Sequence, residues 1–171
     1  MELIETDRLR LIPADAELLL LELKDPEKFA EKIGAETPKD WPPEILTDAL
    51  PYFAQMAEEH PEDKGWFAWY WLCKENGDLR LAGSGGFKGP PDENGIVETG
   101  YSIIPAFQGK GYATEGLSAL VKWAFSHENV RMIIAETLSD NYPSIRVLEK
   151  NGFKNCGCGS AEMLLRFELS K

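Results

Sequence analysis

The segment Gln108-Gly109-Lys110-Gly111-Tyr112-Ala113-Thr114-Glu115 is where this sequence most plainly offers chemistry. Two glycines let the backbone approach a ligand closely and take up positive φ. A helical apolar pattern starts directly after them. Free N–H groups and the positive end of a helix dipole therefore face the loop, as a pyrophosphate site requires. Lys110 adds a mobile positive charge. The dinucleotide fingerprint needs three glycines at another spacing, and the nucleotide P-loop ends in Gly-Lys followed by Ser or Thr; neither is present. On these residues alone, a tight strand-to-helix turn without a ligand explains the loop equally well.

Other groups offer less. Cys156-Gly157-Cys158 has the spacing of a redox or half-metal pair. His60 and His127 are the only histidines, however, and no matching Cys/His cluster exists, so no metal is expected. With Cys73 the cysteines number three, an odd and low count unlike a disulfide framework. Trp66, Trp69 and Trp71 read as core rather than as a stacking platform. His127, ending a long helix, suits the dipole there; His60 follows an acidic helix end and is expected to be exposed.

Strands and helices must position these groups. Arg8–Ile12 alternates and predicts a first strand closed by Pro13. Asp15 caps a helix starting at Ala16. Thr37–Pro43, with three prolines, is a loop, and Thr47 opens a second helical segment, Asp48–Glu59. The aromatic run within Gly65–Lys74 reads as a buried strand. Asn76-Gly77 turns it into Leu79–Phe87, and Ile96–Ile104 follows as a third long strand, making a meander. Ala113, Leu117, Leu120, Val121 and Ala124 then recur at helical spacing. Met132–Thr137 is a strand, Pro143–Lys150 a short helix with Gly152 at its C-terminal cap, and Met163–Leu169 a last strand. Strand–helix–strand–helix order in the second half requires at least one parallel pairing. The class is α/β, in one domain spanning 1–171.

Four blocks, in this order and spacing, resemble the GNAT superfamily of N-acetyltransferases, in its RimJ/RimL-like ribosomal-protein branch. They are Glu5-Thr6-Asp7-Arg8-Leu9-Arg10-Leu11, Glu98-Thr99-Gly100-Tyr101, the glycine loop with Gln108-x-x-Gly111-x-Ala113, and Asn141 through Phe153. The resemblance implies a mixed, mostly antiparallel sheet of about six to seven strands with flanking helices. It also implies acetyl-CoA as cofactor. Its pantetheine arm would lie in a splayed parallel pair, Ile96–Ile104 and Met132–Thr137, and its pyrophosphate on backbone N–H groups of Gln108 to Ala113. Ile103, Gln108, Gly109, Lys110, Gly111, Tyr112, Ala113, Thr114, Asn141 and Ser144 are the implied cofactor contacts.

Acetyl transfer to an amine requires removal of an amine proton, N–H donors for the oxyanion and an acid for the departing thiolate. By the resemblance Glu98 is the base, with Glu162 on the last strand, or a water, as alternatives. Ser144 is the acid, with Tyr142 as alternative. Three positions apart on a strand, Glu98 and Tyr101 must face opposite ways. Taken without the resemblance, Glu98 is a solvated strand carboxylate, and Asn141 and Ser144 are helix caps.

The composition narrows the partners. The 29 Asp+Glu against 18 Lys+Arg give a net charge of −11, which argues against phosphate-backbone binding and suits cationic amines. Expected is direct transfer to a primary amine, a protein N-terminus or a small molecule. An acyl-CoA-binding module without catalysis is the alternative, and a nucleotide-binding protein the third reading. Partner subunits often complete the acceptor cleft in the family, which makes a homodimer one arrangement. No apolar run nears the ~20 residues of a membrane helix. The start Met1-Glu2-Leu3-Ile4-Glu5 lacks a signal peptide's basic and apolar regions, so the default location is cytoplasmic.

Overall fold

The computed structural model describes residues 3–75 and 77–171, with backbone alone at 44 and 45. Its elements are β1 (Ile4–Glu5), β2 (Leu9–Pro13), α1 (Ala16–Lys24), α2 (Pro26–Ile33), α3 (Glu44–Glu59), β3 (Ala68–Glu75), β4 (Asp78–Phe87), β5 (Ile96–Ile103), α4 (Tyr112–Ser126), β6 (Met132–Leu138), α5 (Tyr142–Lys150), β7 (Lys154–Cys158) and β8 (Leu164–Ser170). The strands form one sheet in the order β1-β2-β3-β4-β5-β6-β8-β7. Every neighbouring pair is antiparallel except β5–β6, which is parallel.

Alternation along β3 sets the two faces. Trp69, Trp71 and Cys73 join one apolar cluster with Leu117, Leu120 and Ala124 of α4. Ala68, Tyr70 and Leu72 join the other, with Leu18 and Leu19 of α1, Phe29 of α2 and Leu50 of α3. Burial on both faces explains why this strand is almost continuously aromatic and apolar. Trp66, Trp69 and Trp71 are all buried. Gly116 lets α4 settle on the sheet, because a Cβ there would stand 2.5 Å from the Trp71 ring. His127 terminates α4 with Nδ1 2.9 Å from the Trp123 carbonyl oxygen.

One polar group penetrates the first half. Glu22 is 7% exposed and accepts hydrogen bonds from Tyr70 Oη at 2.5 Å and Trp41 Nε1 at 2.7 Å. Burial pushes its carboxyl up to about 7, against those two hydrogen bonds, which favour the charged form.

Several boundaries differ from expectation. Asp15 does cap α1, accepting from Leu18 N–H. But α3 begins at Glu44, after Pro43, and Thr47 lies within its first turn, its hydroxyl donating to the Pro43 carbonyl. The helix α2 is an element beyond those expected: Asp25 caps it, Pro26 opens it and Gly34 closes it in the left-handed region. The sheet has eight strands rather than six to seven. The additional ones are the two-residue β1 and the wholly exposed β7, neither of which shows a hydrophobic alternation. Asn76 lies outside the described residues. No described helix is long and apolar enough to cross a membrane.

Candidate active site

β5 and β6 pair at only three positions: Ile96 with Met132, Val97 with Ile133 and Glu98 with Ile134. Beyond Glu98 the two strands part. β5 continues to pair with β4 through Ile103, and β6 with β8 through Leu138. Parallel strands so separated leave facing main-chain groups open to another partner.

From the end of β5 the chain makes one 3₁₀ turn, Pro105–Phe107, and enters the glycine loop. Gly109 has φ 74° and Gly111 φ 86°, both in the left-handed region that side chains disfavour. Gly111 is the N-cap of α4 and offers no side-chain cap. The first N–H groups of that helix have no intrahelical acceptors, and they point outward as an anion site. Gln108 Nε2 donates to the Ile103 carbonyl at 2.8 Å, which fixes the loop's entry. Lys110 does not remain a free charge: Nζ pairs with Glu75 at 3.0 Å, on the far end of β3.

A cleft of about 620 Å³ joins this loop to α5. Its lining includes Ile103, Gln108, Gly109, Gly111, Tyr112, Ala113 and Thr114 from the first side and Asn141 and Ser144 from the second. A larger groove of about 900 Å³ runs behind the loop, between residues 4–8 and α4. The smaller one holds the candidate chemistry. Asn141 caps α5, accepting from Ser144 N–H at 3.3 Å, which leaves the Ser144 hydroxyl free to work elsewhere. That hydroxyl meets Tyr101 Oη at 3.0 Å. Burial pushes the Tyr101 phenol up to about 12, despite the Ser144 hydrogen bond, so it stays protonated at neutral pH. The ring lies stacked 6.3 Å from Trp71. Tyr101 was read from sequence only as facing away from Glu98; the signal for its partnership was the same alternation, which sends it to the α5 side.

Glu98 sits at the last paired position, at the apex of the split, on the opposite face. Its carboxylate pairs with Lys88. Glu136, two residues past Glu98's partner Ile134, shares that face and was not singled out in the sequence. It accepts from Ser160 N–H at 2.8 Å and Oγ at 2.5 Å. These hydrogen bonds, aided by Lys88 and Arg166 and opposed by burial, hold its carboxyl below the usual range. The open face is therefore mixed in charge rather than simply acidic. Tyr142 is 65% exposed and absent from the cleft lining. Glu162 is not on the last strand: Met163 takes φ 66° and β8 starts at Leu164, which leaves Glu162 exposed in a turn.

Residues 8–154 match the family model described as Acetyltransferase (GNAT) domain. The chain belongs to the GNAT acetyltransferases. With membership come N-acetyltransferase activity, acetyl-CoA as donor and an amine as acceptor. The chain is 37% identical over 153 residues to the uncharacterized N-acetyltransferase YjdG of Bacillus subtilis, covering 90% of each. Its fold is that of RimL-type enzymes. The acetyl transferase from Salmonella typhimurium that modifies the N-terminal serine of 50S ribosomal subunit protein L7/L12 superimposes with TM-score 0.67 at 20% identity, covering 99% of both chains. The microcin C7 self-immunity acetyltransferase MccE, solved with acetyl-CoA and AMP, gives 0.64 at 18%, covering 97% of this chain and 94% of that one.

Proposed function

We propose that this GNAT enzyme, one domain over 1–171, transfers acetyl directly to a primary amine at the β5–β6 split. The observation that carries the reading is the three-position ladder. It opens at Glu98 beside a cleft lined by the glycine loop, Asn141 and Ser144. The donor set fits acetyl-CoA: the Gln108 N–H is taken by the Pro105 carbonyl, but main-chain N–H groups from Gly109 to Ala113 suit a pyrophosphate, and the free edge of β5 suits an amide-bearing arm. Bound acetyl-CoA supplies an activated thioester.

The Ser144 hydroxyl, oriented by Tyr101, delivers a proton to the departing sulfur. Glu98 takes the amine proton, directly or through a water, from the other side of the split. The Ser144 oxygen regains a proton from solvent water while Glu98 releases the one it took, so one proton leaves the amine and one reaches the thiol; Tyr101 keeps its own proton and holds Ser144 in place. Exposure of Tyr142 and Glu162 favours Ser144 and Glu98 over them. The acceptor is a protein N-terminus or a small-molecule amine, and the net charge of −11 over the whole chain favours its approach as a cation. A cytoplasmic location suits such acceptors, and a homodimer would complete the cleft.

The test is an acetyl-transfer screen over N-terminal peptides and small amines, read by CoA release. Turnover by the wild type with a deep loss in Glu98→Gln, acetyl-CoA binding intact, supports the assignment. Acetyl-CoA binding without transfer to any amine would overturn catalysis in favour of a binding module.

A further inference from the structure

Glu115 stands in the first turn of α4, where a carboxylate opposes the anion that the same helix end attracts. Four contacts disarm it. Thr6 Oγ1 donates to Oε1 at 2.6 Å, and Arg8 N–H donates to the same oxygen at 2.9 Å. Arg8 Nε donates to Oε2 at 2.7 Å, with Nη2 at 2.6 Å. Burial alone would raise this carboxyl; Thr6 and Arg8 instead hold it below the usual range.

The same guanidinium reaches the loop. Arg8 Nη1 donates to the Lys110 carbonyl at 2.8 Å, and its carbon lies 5.0 Å from the centre of the Tyr112 ring. The Lys110–Gly111 peptide is trans, the only cis bond among the described residues being Trp41–Pro42. In a trans peptide the carbonyl and the next N–H point opposite ways. Capture of the Lys110 oxygen therefore turns the Gly111 N–H away from Arg8, and Gly111 is itself one of the residues lining the cleft with Gln108, Gly109 and Tyr112.

We propose that Arg8 is a positioning residue for the cofactor's pyrophosphate: it orients the Lys110–Gly111 peptide and, with Thr6, neutralises Glu115. Neither Arg8 nor Thr6 needs to touch the reacting atoms. The inference rests on acetyl-CoA as donor and not on the roles proposed for Glu98 and Ser144. It predicts that the clamp matters only for a donor that carries a pyrophosphate.

The experiment compares wild type, Arg8→Ala, Arg8→Lys and Thr6→Val in two measurements. Calorimetric titration with acetyl-CoA reads binding without turnover. The ratio of kcat/KM for acetyl-CoA to that for S-acetyl-N-acetylcysteamine, a thioester without pyrophosphate, is taken within each protein, so partial unfolding cancels. Arg8→Ala should raise Kd and KM for acetyl-CoA about tenfold, the size of a lost charge-assisted hydrogen bond, with kcat at saturation retained. The donor ratio should fall equally. Arg8→Lys keeps the charge without the fork and should recover only part of the loss, and Thr6→Val should shift the ratio by about threefold in the same direction. Unchanged acetyl-CoA binding in Arg8→Ala, equal losses with both donors, or full recovery by lysine would overturn the proposal. If no amine is acetylated by wild type, the titration still decides the clamp while the transfer reading fails separately.

Discussion

β3 pairs with β2 along all of that strand and with β4 along its own length, beneath α1–α3, whereas β5 and β6 share three partnered positions before they part. In the first region even a buried carboxylate, Glu22, finds its partners inside the protein. In the second, strand edges and a helix terminus are left for something else to satisfy. Stability and reactivity are thus divided by place: the closed half pairs its central strand along its whole length, and the open half leaves part of its parallel ladder unpaired. Trp71 and Tyr101, stacked on one another, join the two.

The sharpest way to break this division is Trp71→Ala. The side chain is fully buried, and removing it should cost about 3–5 kcal/mol of stability, read as a lower denaturant midpoint. Activity should fall with it, because Tyr101 loses its support. Ser144→Ala should do the reverse, lowering kcat about a hundredfold, as loss of a general acid does, with the melting temperature and acetyl-CoA Kd unchanged. A comparable drop in stability would make the Ser144–Tyr101 contact a structural one instead.

Glu22→Gln sharpens the contrast from the closed side. The folded carboxyl is raised from the ordinary 4.5 to about 7, so the contribution of Glu22 to stability is greatest below 4.5 and declines as pH rises toward 7, where only the unfolded chain has fully ionised. The glutamine variant should flatten that contribution, which is about 3 kcal/mol, as read by melting temperature against pH. Tyr101→Phe should be mildest: about a tenfold loss in kcat from a misoriented Ser144, with little change in melting temperature.

The elements with a strong period or a chemical punctuation mark were legible from sequence. The paired faces of β3, the Asp15 cap and the stripe of α4 are of that kind. β1 and β7 were not, because they exist through their neighbours: two residues carry no period, and β7 buries no residue. The site divides the same way. The glycine loop is a local word in the chain, and the structure brings it to Asn141 and Ser144. Tyr101's meeting with Ser144 arises from the packing of α5 against β5, and Glu136's place beside Glu98 from register across strands distant in sequence. Glu162 was misplaced because a single left-handed residue, Met163, delays the strand.

The contact between Thr6 and Glu115 spans 109 residues, and Arg8 reaches Glu115 across 107. Such closures are entropically late and slow. During synthesis, the opening segment must wait for α4 to emerge before its clamp can form. In refolding, burial of Tyr70 beneath α1–α3 should precede recovery of acetyl-CoA binding, a lag that separates collapse of the first half from competence of the loop.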